Sequence, residues 1–153
     1  MGLKNRLTKD FFLPTLDLVS KGDISRQFNF LQKSQWYNEA QLSQIQNIKL
    51  RKLVNHSYRN VPYYHKLFRS LDLYPDSIKK VDDLRKLDFL TKDHINNNFT
   101  SLTSKNIEPG SYITASSGGT TGNTLTYLQS KKSVDFRRAA NLRGLGWAGY
   151  NIG

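Results

Sequence analysis

Residues 114–127 read TASSGGTTGNTLTY, and from Ser116 through Gly122 every residue is glycine or carries a hydroxyl, with Asn123 closing the row. Residue types in this pattern bind anions. Glycine lets the backbone approach a ligand closely and take positive φ, so successive N–H groups can converge on one group of oxygens. Ser117, Thr120 and Thr121 add hydroxyl donors. Together they can hold a triphosphate tail largely through neutral dipoles. A flexible linker has the same composition. However, the row lies between GSYIT and TLTYLQ, two β-favouring stretches, and a hairpin connection needs only roughly two to five residues.

Other phosphate motifs fail on spacing or context. A Walker A loop requires two glycines with four residues between them, followed by Lys and Ser or Thr; that step from Gly118 reaches Asn123 and from Gly119 reaches Thr124. GLGWAG, Gly144 to Gly149, matches G-x-G-x-x-G letter for letter, but the dinucleotide fingerprint works only between a strand and a helix. Here it follows a helical pattern and reads as a helix end and turn. His56, His65 and His94 do not form a metal-spaced set and are expected at the surface or the edge of the core. Asp82 and Asp83 are expected to support a helix start rather than act as an acid–base pair. Tyr63, Tyr64 and Phe68 read as interlocking core rather than a base-stacking surface, and Trp36 and Trp147 as buried anchors.

The elements that would position the row follow from periodicity. Leu50, Leu53, Val54 and Tyr58 give one apolar stripe of a helix beginning near Leu42. Val61 precedes proline and is pushed out of helical dihedrals, while Pro62 suits the first position of the next helix. Tyr64, Leu67, Phe68 and Leu71 form that helix's inner face. DLYPDS is a loop, Val81, Leu84 and Leu87 mark a further short helix, and Thr91 caps KDHINNNF. Ser133 is expected to cap a last helix through VDFRRAANLRGL, with Phe136, Ala139 and Ala140 inward. Residues 1–40 are ambiguous, mixing apolar side chains with Pro14 and Gly22.

Composition narrows the class. The chain has 153 residues, a net charge of +11 and no cysteine, so disulfides and thiolate metal sites are absent. The basic residues are scattered through the chain with no run of five, some of them in pairs such as Lys79-Lys80, Lys131-Lys132 and Arg137-Arg138. Such pairs read as solvated helix faces with a general attraction for anions, and a dedicated nucleic-acid surface is disfavoured. No stretch approaches the ~20 apolar residues of a membrane span, and the N-terminus lacks a secretion signal, so a cytoplasmic location is expected.

The row SSGGTTGNT resembles the phosphate loop of the adenylate-forming superfamily. KLRKLVNHSYRNVPYYHKLF and SIKKVDDLRKLDFLTKDHINNNF, above all NVPYY and LTKDHI, are similar to the N-terminal region of phenylacetate–CoA ligases and of their relatives encoded with capsular polysaccharide biosynthesis. WAGYNIG sits where that family carries a similar turn. The resemblance spans residues 42–153 and thins over 1–41.

It implies an α/β enzyme, with a mixed α+β appearance in this stretch. Residues 1–100 would be a helical lead-in, and residues 101–153 the start of an ATP-binding domain with its phosphate loop at 116–124. The implied reaction joins a small-molecule carboxylate to the α-phosphate of ATP with Mg²⁺, giving an acyl-adenylate and pyrophosphate, often followed by transfer to CoA. By motif position Ser117, Gly119, Thr120, Thr121 and Gly122 hold the β- and γ-phosphates, with Gly118 in the same cradle where serine is common. Asn123 and Thr124 replace the usual charged residue and proline, and Lys131 or Lys132 is the expected substitute cation. The family's adenine, ribose, metal and catalytic residues follow the loop at distances that exceed this chain, so an N-terminal fragment with little activity of its own is expected. The alternatives are a small basic anion- or nucleic-acid-binding domain without turnover and an inactive truncated relative.

Overall fold

A computed structural model describes Phe11 and residues 13–20, 22–117 and 124–150. Among the described residues the fold is mixed and dominated by helices, with one two-stranded antiparallel sheet. The chain divides into two compact units, one comprising residues 38–128 and the other residues 1–37 with 129–153.

In the unit of residues 38–128, helix α3 (Glu39–Asn60) starts at a capping box: Gln41 N–H donates to Asn38 Oδ1 at 2.9 Å and Asn38 N–H to Gln41 Oε1 at 3.0 Å. It stops at Val61, which is extended ahead of proline, and Pro62 opens α4 (Pro62–Ser70). Phe68 and Ile78 are fully enclosed and pack with Leu50 and Val54. Tyr58 stands edge-on to Phe68, ring centroids 5.8 Å apart. Leu53 departs from the expected inner stripe, being 61% exposed, and Leu71 is exposed too. Tyr63 and Tyr64 are half-buried and meet edge to face.

Helix α4 ends with Asp72 in the left-handed region (φ 51°). Leu73 N–H donates to Phe68 O at 2.8 Å and Asp72 N–H to Arg69 O at 3.2 Å, a Schellman closure. Residues Pro75–Ser77 and Val81–Lys86 form 3₁₀ turns, so the short helix expected around Leu84 is the tighter type. Asp83 holds the second turn in place, its Oδ2 accepting from Lys79 N–H at 2.9 Å and Lys80 N–H at 3.0 Å. Those two backbone bonds, helped by Lys86, depress its pKa to about 2. Thr91 Oγ1 accepts from His94 N–H at 3.2 Å and caps α5 (Lys92–Asn97), which gives way to the single turn α6 (Phe99–Leu102).

In the other unit, α1 (Leu13–Ser20) supplies Asp17, whose carboxylate accepts from Ile24 N–H at 3.0 Å and Ser25 N–H at 2.6 Å. That caps the start of α2 (Ile24–Ser34) from another helix. Helix α7 (Lys131–Trp147) packs on α2 in parallel. Asp23 N–H donates to Asp135 Oδ2 at 3.2 Å at one end, and Trp147 Nε1 donates to Gln35 Oε1 at 2.9 Å at the other; both pairs are 112 residues apart. Between them Phe28 and Leu31 close on Ala139, which has no exposed surface, with Phe136 and Ala140 alongside.

Two expectations are overturned here. The cap of α7 is Ser130, whose Oγ accepts from Ser133 N–H at 3.1 Å. Ser130 is extended at the end of a strand, so the helix can begin at once and take in Lys131 and Lys132. Trp36 and Trp147 are not buried anchors but 84% and 68% exposed. Trp36 lies in the turn after α2 and Trp147 is the last residue of α7, where its ring is covered by the Arg143 guanidinium 4.6 Å from its centroid. GLGWAG ends α7 as expected: Gly149 has φ 81°, Tyr150 N–H donates to Leu145 O at 2.9 Å and Gly149 N–H to Gly146 O at 3.2 Å.

Candidate functional site

A turn leads into the hairpin that carries the small-residue row. Pro109 and Gly110 occupy its centre, Gly110 at φ 77°, and Ser111 N–H donates to Glu108 O at 3.1 Å. Glycine is required there because the second central residue must be left-handed. Strand β1 (Tyr112–Ser116) follows, rich in aromatic and β-branched residues, and pairs with β2 (Thr126–Ser130). The row therefore does lie between two strands, as its flanks imply.

Of the residues assigned to phosphate, Ser117 is described and Gly118, Gly119, Thr120, Thr121 and Gly122 lie outside the described residues, as does Asn123. Ser117 and Leu125 face each other where the strands part. Ser117 N–H donates to Leu125 O at 2.9 Å, and Leu125 N–H donates to Ser117 Oγ at 3.1 Å. Both residues are half-buried. The alternation of TLTYLQ puts Leu125 with Tyr127 on one side of its strand but gives it no part in the site, because that part is played by the main chain. The sequence carries no signal for this pairing, because GSYIT ends at Thr114 and TLTYLQ begins at Thr124, whereas the strands run to Ser116 and from Thr126.

His56 shares hydrogen bonds with Asn60 and Ser104, and His65 Nδ1 lies 3.0 Å from Tyr58 O. Among the described residues no group of His, Asp and Glu could hold a metal ion. Lys131 and Lys132 occupy the first turn of α7 and are exposed. Within residues 38–128 a cleft of about 720 Å³ opens beside α3 and α4, with Leu50, Leu53, Val54, Leu67, Leu84 and Phe89 among its walls. Tyr64 borders it, and burial raises the pKa of its phenol. Among the described residues Asp88 is the one carboxylate on its lining. Among the described residues no helix is long and apolar enough to cross a membrane.

No family model matches the chain. Over 99 residues it is 31% identical to phenylacetate-coenzyme A ligase of Aromatoleum evansii, a stretch that covers 64% of this chain and 22% of that protein. Over 96 residues it is 31% identical to phenylacetate-coenzyme A ligase of Escherichia coli (strain K12), covering 62% of this chain and again 22% of the relative. The matched segment thus spans about a fifth of the length of these curated relatives. The matches support a relationship to adenylate-forming ligases of that kind.

Proposed function

We propose that this chain is the N-terminal part of an ATP-dependent carboxylate-activating enzyme of the phenylacetate–CoA ligase type, and that its row of small residues cradles the β- and γ-phosphates of ATP. The observation that carries the proposal is the match to two phenylacetate-coenzyme A ligases. The hairpin supports it, since β1 and β2 pair and the glycine–hydroxyl row joins them in sequence. Residues 101–153 then open the ATP-binding domain and residues 1–100 lead into it. A role beside capsular polysaccharide synthesis rests on the sequence resemblance of residues 49–68 and 77–99 alone.

The chemistry assigned to this segment is binding and orientation. When a carboxylate oxygen attacks the α-phosphorus, the bond to the bridging oxygen breaks and negative charge collects on the departing pyrophosphate. In this reading the N–H and O–H groups of residues 118–122 are the donors that stabilise that charge. Thr120 and Thr121 add donors that release no proton of their own. Magnesium enters this reading with the nucleotide as its complex, and the thiol acceptor, CoA or another, belongs to the later half of the reaction.

A titration of the ¹⁵N-labelled 153-residue chain with magnesium-ATP tests the cradle. Amides across residues 117–125 are expected to shift with ATP and far less with AMP, which lacks the β- and γ-phosphates. Amides that ignore the triphosphate would overturn the proposal. In a protein of the relatives' length, exchange of labelled pyrophosphate into ATP should depend on the acid and should fall with Thr121→Val.

A further inference from the structure

We infer that Ser117 is a positioning residue that latches the mouth of the loop through Leu125, rather than serving mainly as a phosphate ligand. This assignment presupposes the phosphate-cradle reading and specifies how the cradle is held. Two bonds carry it: Ser117 N–H to Leu125 O at 2.9 Å and Leu125 N–H to Ser117 Oγ at 3.1 Å. In a regular antiparallel pair the second bond would run to a main-chain carbonyl. Here a side-chain oxygen accepts it, so the closure depends on residue type.

The chemistry of position 117 follows. Serine or threonine supplies an acceptor at that distance from Cα; alanine and glycine supply none, and would leave the half-buried Leu125 N–H without its partner. Among the described residues of the hairpin, Ser117 is the one whose hydroxyl bridges to the opposite side. Ser116 beside it is exposed. A phosphate is an acceptor, so Ser117 can give it at most one O–H. Tying residues 117 and 125 together supplies a chain closure that anion binding would otherwise have to supply.

The test uses the intact 153-residue chain as wild type, Ser117→Ala and Ser117→Thr. Exchange of the Leu125 amide with solvent is measured without nucleotide, and affinity for magnesium-ATP is measured from the amide shifts. Ser117→Ala is expected to speed Leu125 exchange about ten-fold, the factor that one net hydrogen bond supplies, and to weaken magnesium-ATP by a similar factor. Ser117→Thr should restore both. Exchange at Phe68 and Ile78 should match wild type in every variant, showing that the fold is intact. If Leu125 exchanges no faster in Ser117→Ala, the latch is wrong, even if nucleotide affinity falls, because a direct ligand would give that pattern. Faster exchange with unchanged affinity overturns the positioning role. A wild-type chain that ignores magnesium-ATP overturns the cradle reading instead, while Leu125 exchange still reads the latch separately.

Discussion

The two units enclose their cores in different ways. In residues 38–128, large side chains that are near one another in sequence interlock, with Phe68 and Ile78 inside and Leu50 and Val54 against them. In the other unit a small residue does the corresponding work. Ala139 is fully enclosed because its lack of bulk lets α2 and α7 approach, and its neighbours Phe28 and Leu31 come from the far end of the sequence. One core is limited by how much volume it fills, the other by how little space it leaves.

Opposite substitutions should therefore damage them. Phe68→Ala opens a cavity and is expected to cost about 3–5 kcal/mol, enough to remove most protection from α3 and α4 amides in hydrogen exchange. Ala139→Leu forces the parallel helices apart and is expected to cost about 1–3 kcal/mol, read in the amides of α2 and α7. If Ala139→Leu were neutral, the close approach of the two helices would be wrong. A neutral Phe68→Ala would remove the aromatic centre from the other unit.

The same contrast explains what sequence alone reveals. The core of residues 38–128 is legible because Leu50, Val54 and Phe68 recur at helical spacing around a Val-Pro break whose effect is steric and local. Thr91 and the GLGWAG terminus are legible for the same reason, since caps depend on residues within one turn. Helix α2 is not, because its apolar face makes sense only against α7, 112 positions away, and its cap comes from Asp17 in another helix. Trp36 and Trp147 mislead because residue type reports average burial, whereas both stand at the ends of helices. At the candidate site the row of glycines and hydroxyls is plain, and so are its flanking strands. What cannot be read is that the Ser117 oxygen is spent on Leu125, since a serine hydroxyl serves a ligand or the backbone equally well.

Helix ends provide a finer comparison, because α4 and α7 close with the same pair of hydrogen bonds around different residues. Gly149 takes φ 81° without a Cβ, and Asp72 takes φ 51° with one. Asp72→Gly is expected to stabilise its unit by about 0.5–1 kcal/mol, since glycine takes the left-handed conformation without the Cβ penalty. Gly149→Ala should cost about 1–2 kcal/mol through backbone strain alone, since a Cβ there meets no atom within 4 Å. Thermal unfolding of the two variants checks both signs. Two changes in the same direction would mean that the left-handed closure does not decide the energy of these ends.

The smallest effect separates two carboxylates held in different ways. Asp83 is depressed to about 2 by the Lys79 and Lys80 backbone N–H groups, and Asp23 is lowered chiefly by its hydrogen bond from Arg26. Both folded pKa values lie below the ordinary 3.8, so the stability each supplies is present in full above about pH 5 and is lost as pH falls through 4 toward the folded value. Asp83→Asn should therefore lower stability at pH 7, and the difference from wild type should shrink between about pH 4 and pH 2. Salt should distinguish the pair. Arg26 is exposed, so 1 M NaCl, with a Debye length of about 3 Å, should bring the Asp23 titration back toward its ordinary value. Backbone N–H groups fixed beside Asp83 are not displaced by counterions, and its titration should move less. Carboxylate carbon shifts followed across pH at low and high salt measure both, and equal movement would place Asp83 among surface ion pairs instead of local caps.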